Sequence, residues 1–186
     1  MERLILVGAS TGGPGLIEKI VKTLPDTVQT PVIIAQHMDN VALISFAKRI
    51  GRLKGDIVRL VEQPTKAERG FVYILADTSV LLWRNGSIFL EPSSEKGFFH
   101  PTIDTLFLSA ASLQNVEIMS VLLSGIGSDG AEGMKKMREA GHLTIAQDEA
   151  TSIVYGMPKR AKELGGAQEI LSIDSIAKRI AEKASF

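Results

Sequence analysis

Residues 4–13 read Leu-Ile-Leu-Val-Gly-Ala-Ser-Thr-Gly-Gly, and this stretch decides the class of fold. Its first four residues form a continuous apolar run, which is typical of a strand buried on both faces of a sheet. Apolar residues with helical spacing follow at 14–24, and a second apolar strand and a second amphipathic helix follow at 31–35 and 42–50. This order of strand, helix, strand and helix predicts a parallel sheet covered by helices.

The middle of the chain interrupts this alternation with short apolar runs at residues 57–61, 71–75, 80–83 and 88–90. Asn85-Gly86, between the last two runs, favours a two-residue hairpin because both turn positions require a positive φ. We therefore predict an inserted antiparallel β-hairpin region around residues 70–91, followed by an exposed loop without periodicity.

The alternation of strands and helices resumes after residue 101. Helices are predicted at 103–113, 131–140, 154–164 and 173–184, and strands at 116–123, 143–146 and 170–171. The whole pattern predicts an α/β fold with a doubly wound, mostly parallel, Rossmann-like sheet. No linker, repeat or low-complexity tract interrupts residues 1–186, so we expect a single domain.

The composition argues against several classes of function. The formal net charge is zero, with 21 basic and 21 acidic side chains, whereas proteins that bind nucleic acid usually carry a basic excess. The chain has no cysteine, which excludes disulfides, thiolate metal sites and a cysteine nucleophile. No apolar run approaches the roughly 20 residues that a membrane helix needs. We expect a cytoplasmic protein that binds no nucleic acid and inserts into no membrane.

Three of the predicted strands end in unusual residues, and these ends mark the candidate site. The segments are residues 8–13 (Gly-Ala-Ser-Thr-Gly-Gly), 36–38 (Gln-His-Met) and 124–130 (Ser-Gly-Ile-Gly-Ser-Asp-Gly). Ligands of open parallel sheets bind beyond the carboxyl ends of the strands. We therefore expect the three segments to meet at one edge of the sheet.

The first segment places Ser10 in a glycine-x-serine-x-glycine pattern at a predicted strand-to-helix turn. The glycines permit a sharp turn that exposes the serine oxygen, and the next helix offers free N–H groups near it. Both features suit a nucleophile that generates an oxyanion. A phosphate- or dinucleotide-binding loop uses the same glycines, however, and the loop alone favours neither interpretation.

A serine nucleophile needs an adjacent base, and His37 is the best candidate among the three histidines. It ends a predicted buried strand directly after the crossover from the Ser10 turn. His142 begins a strand and should lie at the opposite edge of the sheet, whereas His100 lies in a loop and is predicted to be a surface residue. A lone histidine at a strand end is usually structural, but this topological position favours a catalytic role.

The third member of such a site is an acid that orients the histidine. The candidates at strand ends are Asp39, Asp129 and Asp148. Asp39 is too close in sequence to reach back easily to the ring of His37, and Asp148 follows the strand at 143–146. Asp129 lies in a glycine-flanked turn that can aim its side chain, although a helix N-cap is the competing interpretation. The residues alone favour Asp129 only slightly.

Several segments resemble the CheB family of chemotaxis protein-glutamate methylesterases. They are residues 8–14, 36–38, 101–107, 122–131 and 144–158, which are collinear with the family motifs and span almost the whole chain. The resemblance implies a catalytic triad of Ser10, His37 and Asp129 in that chain order. It also implies that the backbone N–H of Ile126 holds the oxyanion. Thr11 either forms a hydrogen bond near the nucleophile or histidine or is only a first-turn helix residue.

The reaction that the resemblance implies is hydrolysis of a glutamyl methyl ester on the cytoplasmic helices of a methyl-accepting chemotaxis receptor. Deamidation of receptor glutamines is a further activity of the family. The reaction requires no cofactor and no metal, and we expect a monomer. Members of the family usually carry an N-terminal receiver domain, and the resemblance here is to the catalytic domain.

The sequence departs from the family pattern at four places, and the implied triad is unaffected. Asp39 replaces a common proline, residues 76–79 replace a glycine-rich turn, Ile126 replaces a methionine, and His100 replaces an arginine. The changes near His100 and Asp77 bear on substrate contacts. Two other classes stay open: a nucleotide-binding protein whose glycine-rich loop cradles phosphates, and a receptor-binding module without catalytic activity.

Overall fold

The computed structural model of the chain describes residues 1–95 and 97–186. The strands lie at Glu2–Ala9 (β1), Val32–Gln36 (β2), Val58–Val61 (β3), Thr65–Lys66 (β4), Val72–Leu75 (β5), Ser79–Arg84 (β6), Ser87–Pro92 (β7), Val116–Leu122 (β8), Leu143–Gln147 (β9) and Glu169–Leu171 (β10). The α-helices lie at Gly13–Thr23 (α1), Asn40–Lys54 (α2), Ile103–Ala111 (α3), Ala131–Glu139 (α4), Met157–Glu163 (α5) and Ile173–Ala184 (α6). No helix within these residues is both long and apolar enough to cross a bilayer.

The main sheet is parallel, with the strand order β10-β9-β8-β1-β2-β5-β3. From β1 the chain passes to β2 on one side, and it later returns to place β8 on the other side. Such a reversal of strand order opens a crevice at the carboxyl ends of the strands, where open α/β sheets bind their ligands. The predicted doubly wound α/β fold class is confirmed.

The central strand β1 is buried on both faces, as its apolar run predicts. Ile5 and Val7 belong to a core cluster covered by α1, α2 and α6, whereas Leu4 and Leu6 belong to a second cluster covered by α3, α4 and α5. Full burial of one such aliphatic side chain stabilises the fold by about 1.5–3 kcal/mol. Packing on both faces therefore holds β1, and the turn that follows it, firmly in place.

The predicted hairpin region is only partly correct. Strands β6 and β7 do form an antiparallel hairpin, which turns at Asn85 (φ 49°) and Gly86 (φ 77°), and β4 pairs with β7. The start of the region at residue 70 is wrong, because β5 joins the main sheet in parallel between β2 and β3. All four residues of β5 are buried, as a strand covered on both faces requires.

The predicted helix at 154–164 begins later, at Met157. Tyr155 instead forms an isolated parallel bridge with Gly125, in the turn after β8. The extended backbone before α5 thus packs against one of the segments predicted to form the site.

Candidate active site

The three predicted segments meet at the carboxyl edge of the parallel sheet. Ala9 and Gln36, the last residues of the neighbouring strands β1 and β2, are paired in register. Ser10 and His37 directly follow them. The backbone N–H of His37 donates to Ala9 O at 2.9 Å, and the backbone N–H of Ser10 donates to Ser124 O at 3.0 Å. Main-chain hydrogen bonds therefore fix the relative positions of the three segments.

Ser10 lies in a tight turn, and the neighbouring segments leave no room for extra side chains. Gly12, the N-cap of α1, has a φ of 83°, which residues with a Cβ atom rarely adopt. A Cβ atom at Gly125 would lie 2.6 Å from Ser10 Cβ and 2.7 Å from Met157 Cε. Glycine at position 125 lets the turn after β8 pack directly against the serine.

Gln36 links the serine and histidine segments through its side chain. Its Nε2 donates to Ser10 O at 2.9 Å and to His37 O at 3.2 Å. No role for Gln36 follows from the sequence motif alone. The sequence feature that indicates such a role is an amide side chain at the end of an apolar strand, because a buried amide needs hydrogen-bond partners.

His37 and Asp129 are in direct contact. Nε2 of His37 lies 2.6 Å from Asp129 Oδ2, and both side chains are almost completely buried. Asp129 also accepts hydrogen bonds from the backbone N–H groups of Ile103, at 2.8 Å, and Asp104, at 2.9 Å, at the N-terminus of α3. Burial alone raises the pKa of Asp129, but the hydrogen bonds outweigh burial and hold this pKa below its ordinary value. Asp129 is therefore a carboxylate at neutral pH.

The carboxylate determines the tautomer of His37. A carboxylate can only accept hydrogen bonds, so Nε2 carries the hydrogen and Nδ1 keeps its lone pair. Nδ1 is buried and has no hydrogen-bond partner among the described residues, Ser10 included. Catalytic hydrogen bonds often tighten only when substrate binds. Nδ1 is thus the nitrogen available to take a proton from Ser10.

The other candidate acids hold local turns and do not contact the histidine. Asp39 accepts from the backbone N–H of Ala42 at 2.8 Å and caps α2. Asp148 accepts from the backbone N–H of Thr151 at 3.0 Å and from its hydroxyl at 2.5 Å. These contacts favour Asp129 as the acid.

Within the described part of the chain, no three histidine, aspartate or glutamate side chains form a cluster that could hold a metal ion.

His100 is not the plain surface residue that its loop position predicts. Its Nδ1 lies 2.9 Å from Met38 O, and its Nε2 lies 2.9 Å from Asp77 Oδ1. The loop before α3 is therefore attached to the segment that carries His37. The third histidine, His142, immediately precedes β9 and so lies at the opposite edge of the sheet, as predicted.

The turn after β8 supplies the candidate oxyanion donor. Gly125 is held on both sides, because its N–H donates to Val154 O at 3.0 Å and its carbonyl accepts from Met157 N–H at 2.9 Å. The next N–H, that of Ile126, has no backbone acceptor among residues 1–95 and 97–186. It is available to bind a developing negative charge beside Ser10.

Thr11 lies next to Ser10, but the observed contact involves its backbone. Its carbonyl accepts a hydrogen bond from Ser124 Oγ at 2.8 Å, and its side chain is exposed. This contact joins the turn after β1 to the turn after β8. A role for the Thr11 hydroxyl stays a prediction.

An aromatic side chain covers one face of His37. The ring of Phe99 is stacked on the imidazole, with centroids 4.8 Å apart and an interplanar angle of 5°. Phe99 lies in the loop between β7 and α3, which has no periodicity, so the sequence offers no signal for this contact.

Fold and site together define the class of protein. A serine, a histidine and a buried carboxylate at the carboxyl edge of a doubly wound sheet form the arrangement expected of a serine hydrolase on a Rossmann-like fold. The family model of the CheB methylesterases matches residues 5–180. The chain belongs to this family, as its sequence motifs predict.

Individual relatives agree with the family. Proteins named protein-glutamate methylesterase/protein-glutamine glutaminase 1 from Pseudomonas fluorescens and 3 from Pseudomonas aeruginosa are each 39% identical over 183 residues. These matches cover 97% of this chain and 54% of each relative, so the chain spans about half the length of the curated relatives it matches. The crystal structure of the Thermotoga maritima CheB methylesterase catalytic domain has a TM-score of 0.90, 31% identity and 98% coverage of both chains.

Proposed function

We propose that the protein hydrolyses glutamyl methyl esters on the cytoplasmic helices of methyl-accepting chemotaxis receptors and releases methanol. The contact of 2.6 Å between His37 Nε2 and Asp129 Oδ2, beside Ser10, carries the proposal. The names of the relatives support a protein glutamyl ester as the substrate, and they support deamidation of protein glutamines as a second activity. In this proposal residues 1–186 act as one monomeric catalytic domain in the cytoplasm.

In the proposed reaction, Ser10 Oγ attacks the acyl carbon of the ester while His37 Nδ1 takes the hydroxyl proton. Asp129 stays ionised and stabilises the imidazolium that forms. The backbone N–H of Ile126 holds the oxyanion, and such a donor contributes roughly 3 kcal/mol to transition-state stabilisation. Methanol leaves with the proton from His37, and a water activated by Nδ1 then hydrolyses the acyl-enzyme.

Exposed apolar side chains near Ser10 support a macromolecular substrate. Phe98, Ile126 and Ile153 are 97%, 60% and 71% exposed, and each belongs to a segment that contacts the site. The side chain of Ile153, for example, lies so close to Gly12 that a Cβ atom there would be 2.7 Å away. A small ester would bury little of this surface, whereas the apolar face of a helix could bury most of it.

The alternative classes have less support. A dinucleotide-binding protein needs an acid after the second strand to bind a ribose hydroxyl, but Asp39 there already caps α2 through Ala42. A receptor-binding module without catalytic activity gives no reason for a carboxylate held against His37. Burying two titratable groups usually costs stability, so the presence of this pair favours a chemical role for it.

Replacing Ser10 with alanine tests the proposal. We expect methanol release from methylated receptor to fall at least about 10³-fold, because members of a triad act as a unit. Ser112→Ala is the matched control, since among the described residues that hydroxyl donates only to Leu108 O, near the end of α3. A serine-reactive fluorophosphonate should label Ser10 in the wild-type protein, as located by mass spectrometry. Near-normal turnover by Ser10→Ala, with an unchanged circular dichroism spectrum, excludes Ser10 as the nucleophile.

A further inference from the structure

The imidazole of His37 is held at one face as well as at its edge. Phe99 lies parallel to it at a centroid distance of 4.8 Å. Phe99 also lies close to the turn after β8, because a Cβ atom added at Gly127 would be 3.3 Å from Phe99 Cζ. One aromatic ring therefore stacks on the candidate base and lies close to the turn that carries Ile126.

The loop between β7 and α3 anchors Phe99 through its backbone. Thr102 Oγ1 donates to Phe99 O at 3.1 Å, and Met38 N–H donates to His100 O at 2.9 Å. Phe98, one residue earlier, is 97% exposed and meets Phe99 edge-on, with centroids 5.1 Å apart. The anchoring contacts thus favour Phe99, rather than its exposed neighbour, for a defined role.

We infer that Phe99 is a positioning residue that fixes the plane of His37 and stabilises its protonated form during the reaction. This inference rests on the proposed function. When Nδ1 takes the proton of Ser10, the O–H bond breaks, an N–H bond forms, and the imidazole becomes a cation.

A cation over an aromatic face is attracted by the ring quadrupole, and more strongly when the pair is shielded from water. The side chain of His37 is only 9% exposed. Because the positive charge appears only on proton transfer, the stack with Phe99 stabilises the transition state more than the ground state.

The titratable groups around His37 do not lie on the face of the ring that Phe99 covers. Asp129 contacts the ring edge at Nε2, and Asp104 lies beyond Asp129 on α3. On the loop that carries Phe99, His100 is paired with Asp77 at 2.9 Å.

Phe99→Leu removes the aromatic face and keeps a large apolar side chain. The test measures the second-order rate of fluorophosphonate labelling of Ser10 from about pH 5 to pH 9, together with kcat and KM on methylated receptor. We expect the maximal labelling rate and kcat to fall about 3- to 10-fold, with KM changed less than about twofold. The midpoint of the acidic limb should fall by about half a pH unit, because a less stabilised imidazolium loses its proton at lower pH.

Phe99→Tyr keeps the aromatic face and should restore both the rate and the midpoint. Phe186→Leu is the matched control, because that ring is 57% exposed and contacts Arg3 at the start of β1, away from the site. The same substitution there leaves the stack in place and should leave the pH profile unchanged. If circular dichroism shows Phe99→Leu to be unfolded, Phe99→Met replaces it and should show the same shift.

A folded leucine or methionine variant of Phe99 with the wild-type midpoint overturns the inference and leaves the proposed function intact. Failure of Phe99→Tyr to restore the midpoint also overturns it. If the wild-type protein is not labelled at Ser10 at any pH, the proposed function fails, and the inference fails with it.

Discussion

Replacing Asp129 with asparagine tests the acid of the proposed triad without changing the shape of the side chain. In the wild-type protein, Oδ2 accepts from His37 Nε2 and from the N–H of Ile103, and Oδ1 accepts from the N–H of Asp104. Asparagine has one oxygen and one amino group, so it cannot accept all three hydrogen bonds. The substitution must therefore leave at least one of these donors without an acceptor.

Both orientations of the new amide are unfavourable. If its oxygen faces Asp104, its amino group faces His37 Nε2, which forces the hydrogen onto Nδ1 and removes the base. If its oxygen faces His37, the N–H of Asp104 loses its acceptor and the imidazolium loses a negative partner. A buried unsatisfied donor costs about 1–3 kcal/mol of stability. The equivalent substitution in a serine protease lowers kcat about 10⁴-fold, and with methanol as a less demanding leaving group we expect roughly 10² to 10⁴.

The assay measures kcat/KM for methanol release from methylated receptor, with thermal melts as the folding control. Asp148→Asn is the matched substitution, because within the described part of the chain its carboxylate forms hydrogen bonds only with the nearby Thr151. We expect it to cost at most about tenfold. If a folded Asp148→Asn is the more damaging variant, or if Asp129→Asn keeps near-normal kcat/KM, the assignment of Asp129 is refuted.

Asp104, Gly125 and the glycine-rich loop allow further tests. Burial raises the pKa of Asp104 to about 6, so the stability from its protonated form is present below about pH 4 and is lost as the pH rises through about 6. Asp104→Asn keeps an acceptor for Gly133 N–H. It should raise the melting temperature by about 2–4 °C near pH 7.5 but not near pH 4. An equal change in melting temperature at both pH values contradicts the raised pKa of Asp104. Gly125→Ala places a methyl group 2.6 Å from Ser10 Cβ and should lower kcat at least about tenfold in a folded protein, measured by methanol release, whereas an unchanged kcat contradicts the close packing. Calorimetric titration with NAD, NADP or ATP at millimolar concentration should give no heat above dilution, and saturable binding would support the nucleotide-binding alternative.

Local patterns are enough to predict much of the fold. The apolar run at residues 4–7 predicts β1, because a strand covered on both faces must be apolar throughout. Asn85-Gly86 predicts the β6–β7 turn, because those residues tolerate the positive φ that the turn requires. Residues 71–75 show where local sequence patterns no longer predict the fold. A short apolar run is compatible with a hairpin or with a parallel sheet, and only the pairing with β2 and β3 decides between them.

The candidate site also contains some residues that the sequence predicts and others that it does not. Ser10 and His37 each follow directly on a strand, so the topology alone predicts that they are neighbours. The stack of Phe99 on His37 depends instead on how an irregular loop is anchored by Thr102 and Met38, which are distant from each other in sequence. The prediction that His100 is a surface residue misses its contacts for the same reason, since its hydrogen-bond partners lie outside its own segment.

The two interpretations of Asp129, an acid beside His37 and a helix cap, describe the same carboxylate. The helix that it caps is α3 and not α4, which follows Asp129 in the chain and has Gly130 as its N-cap residue, without a side-chain cap. The free N–H groups of Ile103 and Asp104 carry the positive end of the α3 dipole. Together with the hydrogen bond from His37, they keep Asp129 ionised in a buried position, and they also fix its orientation toward His37. The position of α3 therefore sets the position of the acid, and substitutions that shift α3 should reduce hydrolysis even when they lie far from Ser10.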